Sequence, residues 1–322
     1  MIYPEYFIHP NDAKALDALK AIPAFTLLSR KFSEIFGERE GKIENLSSNI
    51  RISERQFPEI FKMLPPICEK LEIPVPELYL EQTPIINAYT LGVTTPYIRL
   101  TSGLLNNCST DVIKAVIAHE CGHIVCRHTS YKNMARFFLG VGASLINVPF
   151  LSFALKYALL YWDRCSEYSA DRVSAFASGG SELVVKTMTE LACGSPALLE
   201  KIDRDEFLKQ AEDFHSYSDE SGWNKFLMYC ALLEENHPFV VDRAAEIVKW
   251  CDSKDYENLC NGVPYTPPKP AAVMRCPKCG ATIDNETAFC TSCGTKIVHC
   301  PGCNAVFTGE DSFCNKCGSK LQ

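Results

Sequence analysis

The sequence predicts an α+β fold, mainly helical with a small sheet, followed by two small four-cysteine metal modules. Three observations carry this. Apolar residues recur at helical spacing over most of the chain before Gly262. Short runs of β-branched and aromatic residues bounded by prolines interrupt that pattern. Eight of the 17 cysteines fall in the last 47 residues as two copies of one spacing. The chain has 322 residues, 47% hydrophobic and 22% charged, enough for about two domains with full cores, which excludes a disordered or collagen-like protein. A formal charge of -7 leaves no whole-chain basic field for nucleic acid or anionic lipid.

Residues 1–56 read as an N-terminal helical region, with a helix over Asn11–Ser29 broken at Pro23. Met1 to Lys20 carries five charged side chains and no apolar h-region, so neither a signal peptide nor an anchor is expected there, and the expected location is cytoplasmic. Phe57–Leu71 reads as one apolar helix, and Glu77–Glu81 and Tyr97–Leu100 as strands. Ser109-Thr110-Asp111 signals the start of a helix over Val112–His128. Further helices are expected at Ser166–Phe176, Ser181–Leu191, Glu206–His215, Asn224–Glu234 and Val241–Cys251. The prolines of Gly262–Pro270 make 262–275 a semi-rigid linker that closes a domain spanning 57–261.

Within the helix after Asp111 stands His119-Glu120-Cys121-Gly122-His123. Positions i and i+4 share a helical face, so both imidazoles can meet one zinc ion while Glu120 reaches a water on it. The chemistry is metal-assisted hydrolysis: zinc lowers the pKa of the water, Glu120 takes its proton and passes it to the leaving amine, and the metal polarises the scissile carbonyl. Such a site needs a third ligand, and Glu167 on a second helix offers one, with Asp171 one turn on to hydrogen-bond the distal nitrogen of a ligand histidine. The plainer reading pairs both carboxylates with Arg164 and Arg172 at the surface. His128, five residues past His123, should lie about 140° round the helix and miss the metal. His9, His128 and His215 are read as structural or surface residues, and Cys121 and Cys126 as buried thiols.

These motifs resemble the M48 zinc metalloproteases, relatives of the heat-shock protease HtpX and the CAAX prenyl protease. The likeness extends to Asn87–Gly92, similar to the family's edge strand, to Ile98–Leu105 ahead of the active-site helix, and to His237-Pro238 with Arg243. It covers roughly Phe57 to Trp250. The resemblance implies a zincin-type domain with His119, His123 and Glu167 as zinc ligands, Glu120 as general base and Asp171 as orienter. It also implies that Asn87 and Ala88 bind substrate backbone and that His237 or Arg243 lies near the site.

Phe137 to Leu155 runs 19 residues without a charge, long enough on count to span a membrane. A single span would separate His119 and His123 from Glu167. Two spans need about 40 residues, and 26 lie between Phe137 and Trp162. A short apolar hairpin over 137–162 is expected, broken at Asn147 and Pro149, and either buried in the domain or dipping into one leaflet.

In the tail, Cys276, Cys279, Cys290 and Cys293 recur at an offset of 24 as Cys300, Cys303, Cys314 and Cys317. Each quartet suits a closed, structural zinc site with four thiolate ligands, in modules spanning 276–293 and 300–317 of a region covering 276–322. The pair resembles the double zinc ribbon found at the ends of many bacterial and archaeal proteins. Four basic and four acidic residues, plus about two negative charges per metallated cluster, make the ribbons a poor nucleic-acid binder and a better protein-contact module. The expected protein is therefore a zinc endopeptidase acting on protein substrates, with one catalytic and two structural zinc ions. The alternative is a catalytically silent scaffold that works through its ribbons.

Overall fold

Pro10 opens the first helix, α1 (Pro10–Lys20), where its missing amide hydrogen costs nothing, and the His9 ring caps that helix by accepting from the Asn11 amide at 3.1 Å. The chain is described here from a computed structural model, for residues 2–22, 25, 29, 39–139, 149–221, 240–265, 275–281, 289–290, 292–299, 306–308 and 320. α2 (Arg39–Ser48) leads into the short strand β1 (Ile50–Ile52). The single helix expected over Phe57–Leu71 is two pieces, Pro58–Phe61 and α3 (Leu64–Lys70). Pro65 and Pro66 cannot donate to a preceding turn, so a fresh helix must begin at them.

Strands β2 (Glu77–Glu81), β3 (Ala88–Leu91) and β4 (Tyr97–Thr101) complete a sheet ordered β1-β2-β4-β3, in which only β2 and β4 run parallel. β4 is buried at all five positions, as a central strand covered on both faces should be. Among the described residues β3 pairs with β4 alone, in the register Ala88↔Leu100 to Leu91↔Tyr97, and so forms an edge.

Thr101 and Ser109 start the helices that follow, the turn Ser102–Asn107 and then α4 (Thr110–Val125). α4 ends earlier than the expected His128. The cap at Cys126 and a left-handed Arg127, φ 59°, turn the chain before α5 (Thr129–Leu139) begins. α6 (Pro149–Ser178) is far longer than the expected Ser166–Phe176, because no proline or glycine interrupts it before Gly179-Gly180. α7 (Ser181–Cys193), α8 (Arg204–Asp219), α9 (Val240–Cys251) and α10 (Lys254–Cys260) follow. The expected helix Asn224–Glu234 and residues 140–148 of the expected hairpin lie outside the described residues. Among the described residues, no helix is long and apolar enough to cross a membrane.

The main core lies between the sheet and α3, α4, α7 and α9, around Leu64, Ile98, Leu100, Val112, Ile117 and Val184. A second cluster, around Leu19, Met134, Leu159 and Trp162, joins α1 to α5 and α6. The chain divides into two compact units, Met1–Tyr265 and Thr266–Gln322. The second unit holds the hairpin β5 (Ile297–His299) and β6 (Val306–Thr308).

Candidate active site

α4 and α6 supply most of the site, and a glycine lets them meet. A Cβ on Gly122 would stand 2.9 Å from Ala170 Cα and 3.0 Å from its carbonyl oxygen, so only glycine allows this approach. Ala170 lies between Glu167 and Asp171 on α6, and the close crossing brings both carboxylates onto the histidine face of α4. His119 Nε2 is 3.3 Å from one Glu167 oxygen, and His123 Nε2 is 3.4 Å from the other. Donor atoms of His119, Glu120 and His123 lie within 4.8 Å of one another.

The distal nitrogens are tied as well. His119 Nδ1 is 3.0 Å from Asp171 Oδ1. Arg243 on α9 grips Asp171 with two hydrogen bonds, 2.8 Å from Nε and 2.7 Å from Nη2, and approaches Glu167 at 3.4 Å. Lys132 on α5 lies 2.9 Å from both Glu167 and Asp163. Glu167 and Asp171 are thus buried and engaged with the histidines, Lys132 and Arg243, rather than set at the surface.

The electrostatics follow from this packing. Burial pushes the Asp171 carboxyl up, but the charges and hydrogen bonds of Arg243 and His119 together outweigh it and hold the group below its usual value. Burial alone would lower His119, yet hydrogen bonds and charge from Asp171 and Glu167 raise it to about 9 without metal. His123 goes the other way, well below its usual range, through burial and the nearby Lys132 charge. Two Nε2 atoms and a carboxylate facing one point, with the outer imidazole nitrogens tied back, make a donor set of the kind zinc takes. The residues present therefore fit the metal.

Glu120 is buried, and the Thr90 hydroxyl on β3 donates to its carboxylate at 2.7 Å. Thr90 carries no sequence signal beyond its inward place in a strand. Ala88 opens β3 and Asn87 precedes it, and both line a cavity of about 440 Å³ that also reaches His119 and Glu120. Ile86, Leu104, Val116, Val184, Met188 and Leu191 make its wall largely apolar. Arg243 borders the cavity but spends its guanidinium on the two carboxylates. His237 lies outside the described residues.

His128 was expected on the outer face of a continuing helix. Because α4 stops at Val125, its ring instead turns back against His123, with the two Nδ1 atoms 2.9 Å apart. His9 is buried against Glu246, and His215 bonds Asp242 at 2.6 Å, so both are structural contacts.

In the tail unit, Cys276, Cys279, Cys290 and Cys293 bring their sulfurs within 4.8 Å of one another. The two knuckles are alike: the Gly280 amide donates to the Cys276 carbonyl at 2.9 Å and the Gly294 amide to the Cys290 carbonyl at 2.8 Å, each glycine left-handed at φ 74° and 71°. The Thr295 hydroxyl and amide hold the Cys293 thiol down to about 6. Four thiols on two such turns fit a tetrahedral zinc ion. Cys300, Cys303, Cys314 and Cys317 lie outside the described residues.

Comparison with known proteins agrees with both units. The pattern of Peptidase family M48 matches residues 54–251, and that of the Double zinc ribbon matches residues 276–318. The plastoglobule-localized metallopeptidase 48 of Arabidopsis thaliana chloroplasts is 30% identical over 258 residues, which cover 79% of this chain and 74% of that one. A protease HtpX homolog of Trichormus variabilis is 30% identical over 112 residues, 34% of this chain and 37% of the relative. Protease HtpX homolog 2 of Methanosarcina acetivorans is 23% identical over 235 residues, 62% of this chain and 74% of the relative. No solved structure matches the chain.

Proposed function

Because the chain belongs to peptidase family M48, we propose that it is a zinc-dependent endopeptidase that cuts protein or peptide substrates with Glu120 as its general base. The observation that carries this reading is the convergence of His119 Nε2, His123 Nε2 and both Glu167 oxygens beside the Glu120 carboxylate. Zinc held by those three residues supplies Lewis acidity toward a water and the scissile carbonyl. Glu120, aimed by Thr90, takes the proton of that water and delivers it to the leaving amine. Asp171, held by Arg243, keeps the His119 hydrogen on Nδ1 and its Nε2 lone pair toward the metal. Asn87 and Ala88, where the chain enters the edge strand β3, line the substrate's path, so that an extended substrate lies along β3 and the adjoining cavity receives one of its side chains.

The same reading assigns one catalytic and two structural zinc ions. The ribbons then serve as a protein-contact appendage, and their thiolates require a reducing compartment such as the cytoplasm. In the zinc-loaded full chain, Glu120→Gln should cut cleavage of an unfolded protein by about 10²- to 10⁴-fold with zinc content unchanged. Cleavage at the parent rate would sink the peptidase mechanism and leave the silent scaffold standing.

A further inference from the structure

The N-terminal helix reaches the metal site through a chain of buried polar groups. Asp12 on α1 is 1% exposed, and its Oδ2 lies 3.0 Å from His128 Nε2. The same carboxylate accepts from Ser169 Oγ at 2.6 Å and, through Oδ1, from Trp162 Nε1 at 2.9 Å. His128 Nδ1 is 2.9 Å from His123 Nδ1, and His123 Nε2 faces Glu167. Asp12 and His123 are therefore linked through one imidazole, across 111 positions of sequence.

Proton counting gives this chain a direction. An ionised carboxylate only accepts, so the hydrogen of a neutral His128 sits on Nε2, and its Nδ1 is bare. A bare Nδ1 can only accept, so His123 carries its hydrogen on Nδ1 and leaves Nε2 free to ligate. We infer that Asp12 and His128 are positioning residues of the metal centre, which fix the ligating tautomer of His123 and make α1 a working part of the peptidase. The inference rests on the proposed zinc ligands, and it differs from a purely structural role because it depends on hydrogen positions and not only on packing.

Asp12→Asn tests it. Trp162 Nε1 only donates, so the amide oxygen must face Trp162 and the NH2 must face His128. That forces the His128 hydrogen onto Nδ1 and the His123 hydrogen onto Nε2, the atom that should bind metal. The same substitution disables the serine-protease triad by imposing the wrong tautomer. Zinc held per full-length chain is measured against a graded chelator series, with Glu167→Ala reporting the ribbon zinc alone. Asp12→Asn should weaken the third zinc by about 10- to 100-fold. Adding Trp162→Phe frees the amide to turn its oxygen to His128, so the double variant should recover affinity to within a few-fold of the parent while its Tm falls further. His128→Phe, which keeps a ring but no acceptor, should lose at least about tenfold.

Parent-like affinity in Asp12→Asn or in His128→Phe overturns the relay while the peptidase reading survives. A double variant that loses both affinity and stability overturns it too, since packing then explains everything. A parent holding no more zinc than Glu167→Ala overturns the three-ligand site and the relay together.

Discussion

The two zinc-fitted sites of this chain are built in opposite ways. The ribbon quartet Cys276, Cys279, Cys290 and Cys293 comes from two local turns, and among the described residues the apolar cluster around it holds Cys276, Cys290 and Ile297, with Ala281 and Val306 packed beside them. The peptidase site draws on α4, α6, α9 and β3, and its outer polar partners are already in place around the donors. The metal should then supply the folding energy in the first case, and the fold should supply the metal site in the second.

Removing metal should break that contrast if it is false. Cys276→Ser, or exhaustive chelation, should unfold the described ribbon segment, residues 275–281, 289–290 and 292–299, because structural zinc contributes about 10–16 kcal/mol in small Cys-rich modules. Hydrogen exchange should then reach the solvent rate across that segment, while amides of β4 and α4 stay protected. Lost protection in β4 and α4 alongside the ribbon would show that the peptidase unit also depends on metal to fold. Protection retained by a metal-free ribbon would refute the other half.

The contrast also explains what the sequence made legible. Each ribbon declares itself because all four ligands lie within 18 positions, and His119, Glu120, His123, Glu167 and Asp171 can be read because i,i+4 spacing is a local signal. Thr90 and Asp12 cannot be read this way, since what they touch depends on how β3 and α1 dock against helices far away in sequence. His128 misled for a sharper reason. Helical phase places it away from the metal, but the left-handed Arg127 ends that phase, and one residue of turn returns the ring to His123. The strands β1 and β3, at three and four residues, are too short for alternation to register, and β3 showed only through its likeness to a family segment. By contrast the Pro65-Pro66 break was present in the sequence as ordinary helix chemistry.

A middle-sized effect tests whether the peptidase site depends on the docking of α4 against α6. In an exposed helix, Gly→Ala stabilises by about 1 kcal/mol. At Gly122 the added methyl meets the Ala170 backbone at 2.9 Å and Val173 at 3.0 Å, so the sign should reverse. Gly122→Ala should lose about 1–3 kcal/mol in denaturant unfolding and, by pushing Glu167 away from the histidines, lose catalytic zinc as well. A stabilised variant that keeps its zinc would mean the crossing is looser than described and the glycine incidental.

The smallest effect belongs to the rim of the same site, where the N-terminus meets α9. Glu246 lies 3.5 Å from His9, and that hydrogen bond leads the causes that hold its carboxyl down to about 2. A depressed carboxylate gives stability that is present above its unfolded pKa of about 4.3 and is lost as pH falls toward 2. The Glu246 side chain is 33% exposed, so solvent screening should reduce its share to under about 1 kcal/mol. Glu246→Gln should accordingly lower stability slightly at pH 7 and leave it unchanged at pH 2, as read by urea unfolding at both values. A loss of several kcal/mol at pH 7 would place the anchoring of the N-terminus on this rim pair, and not on buried Asp12 with its His128, Trp162 and Ser169 partners.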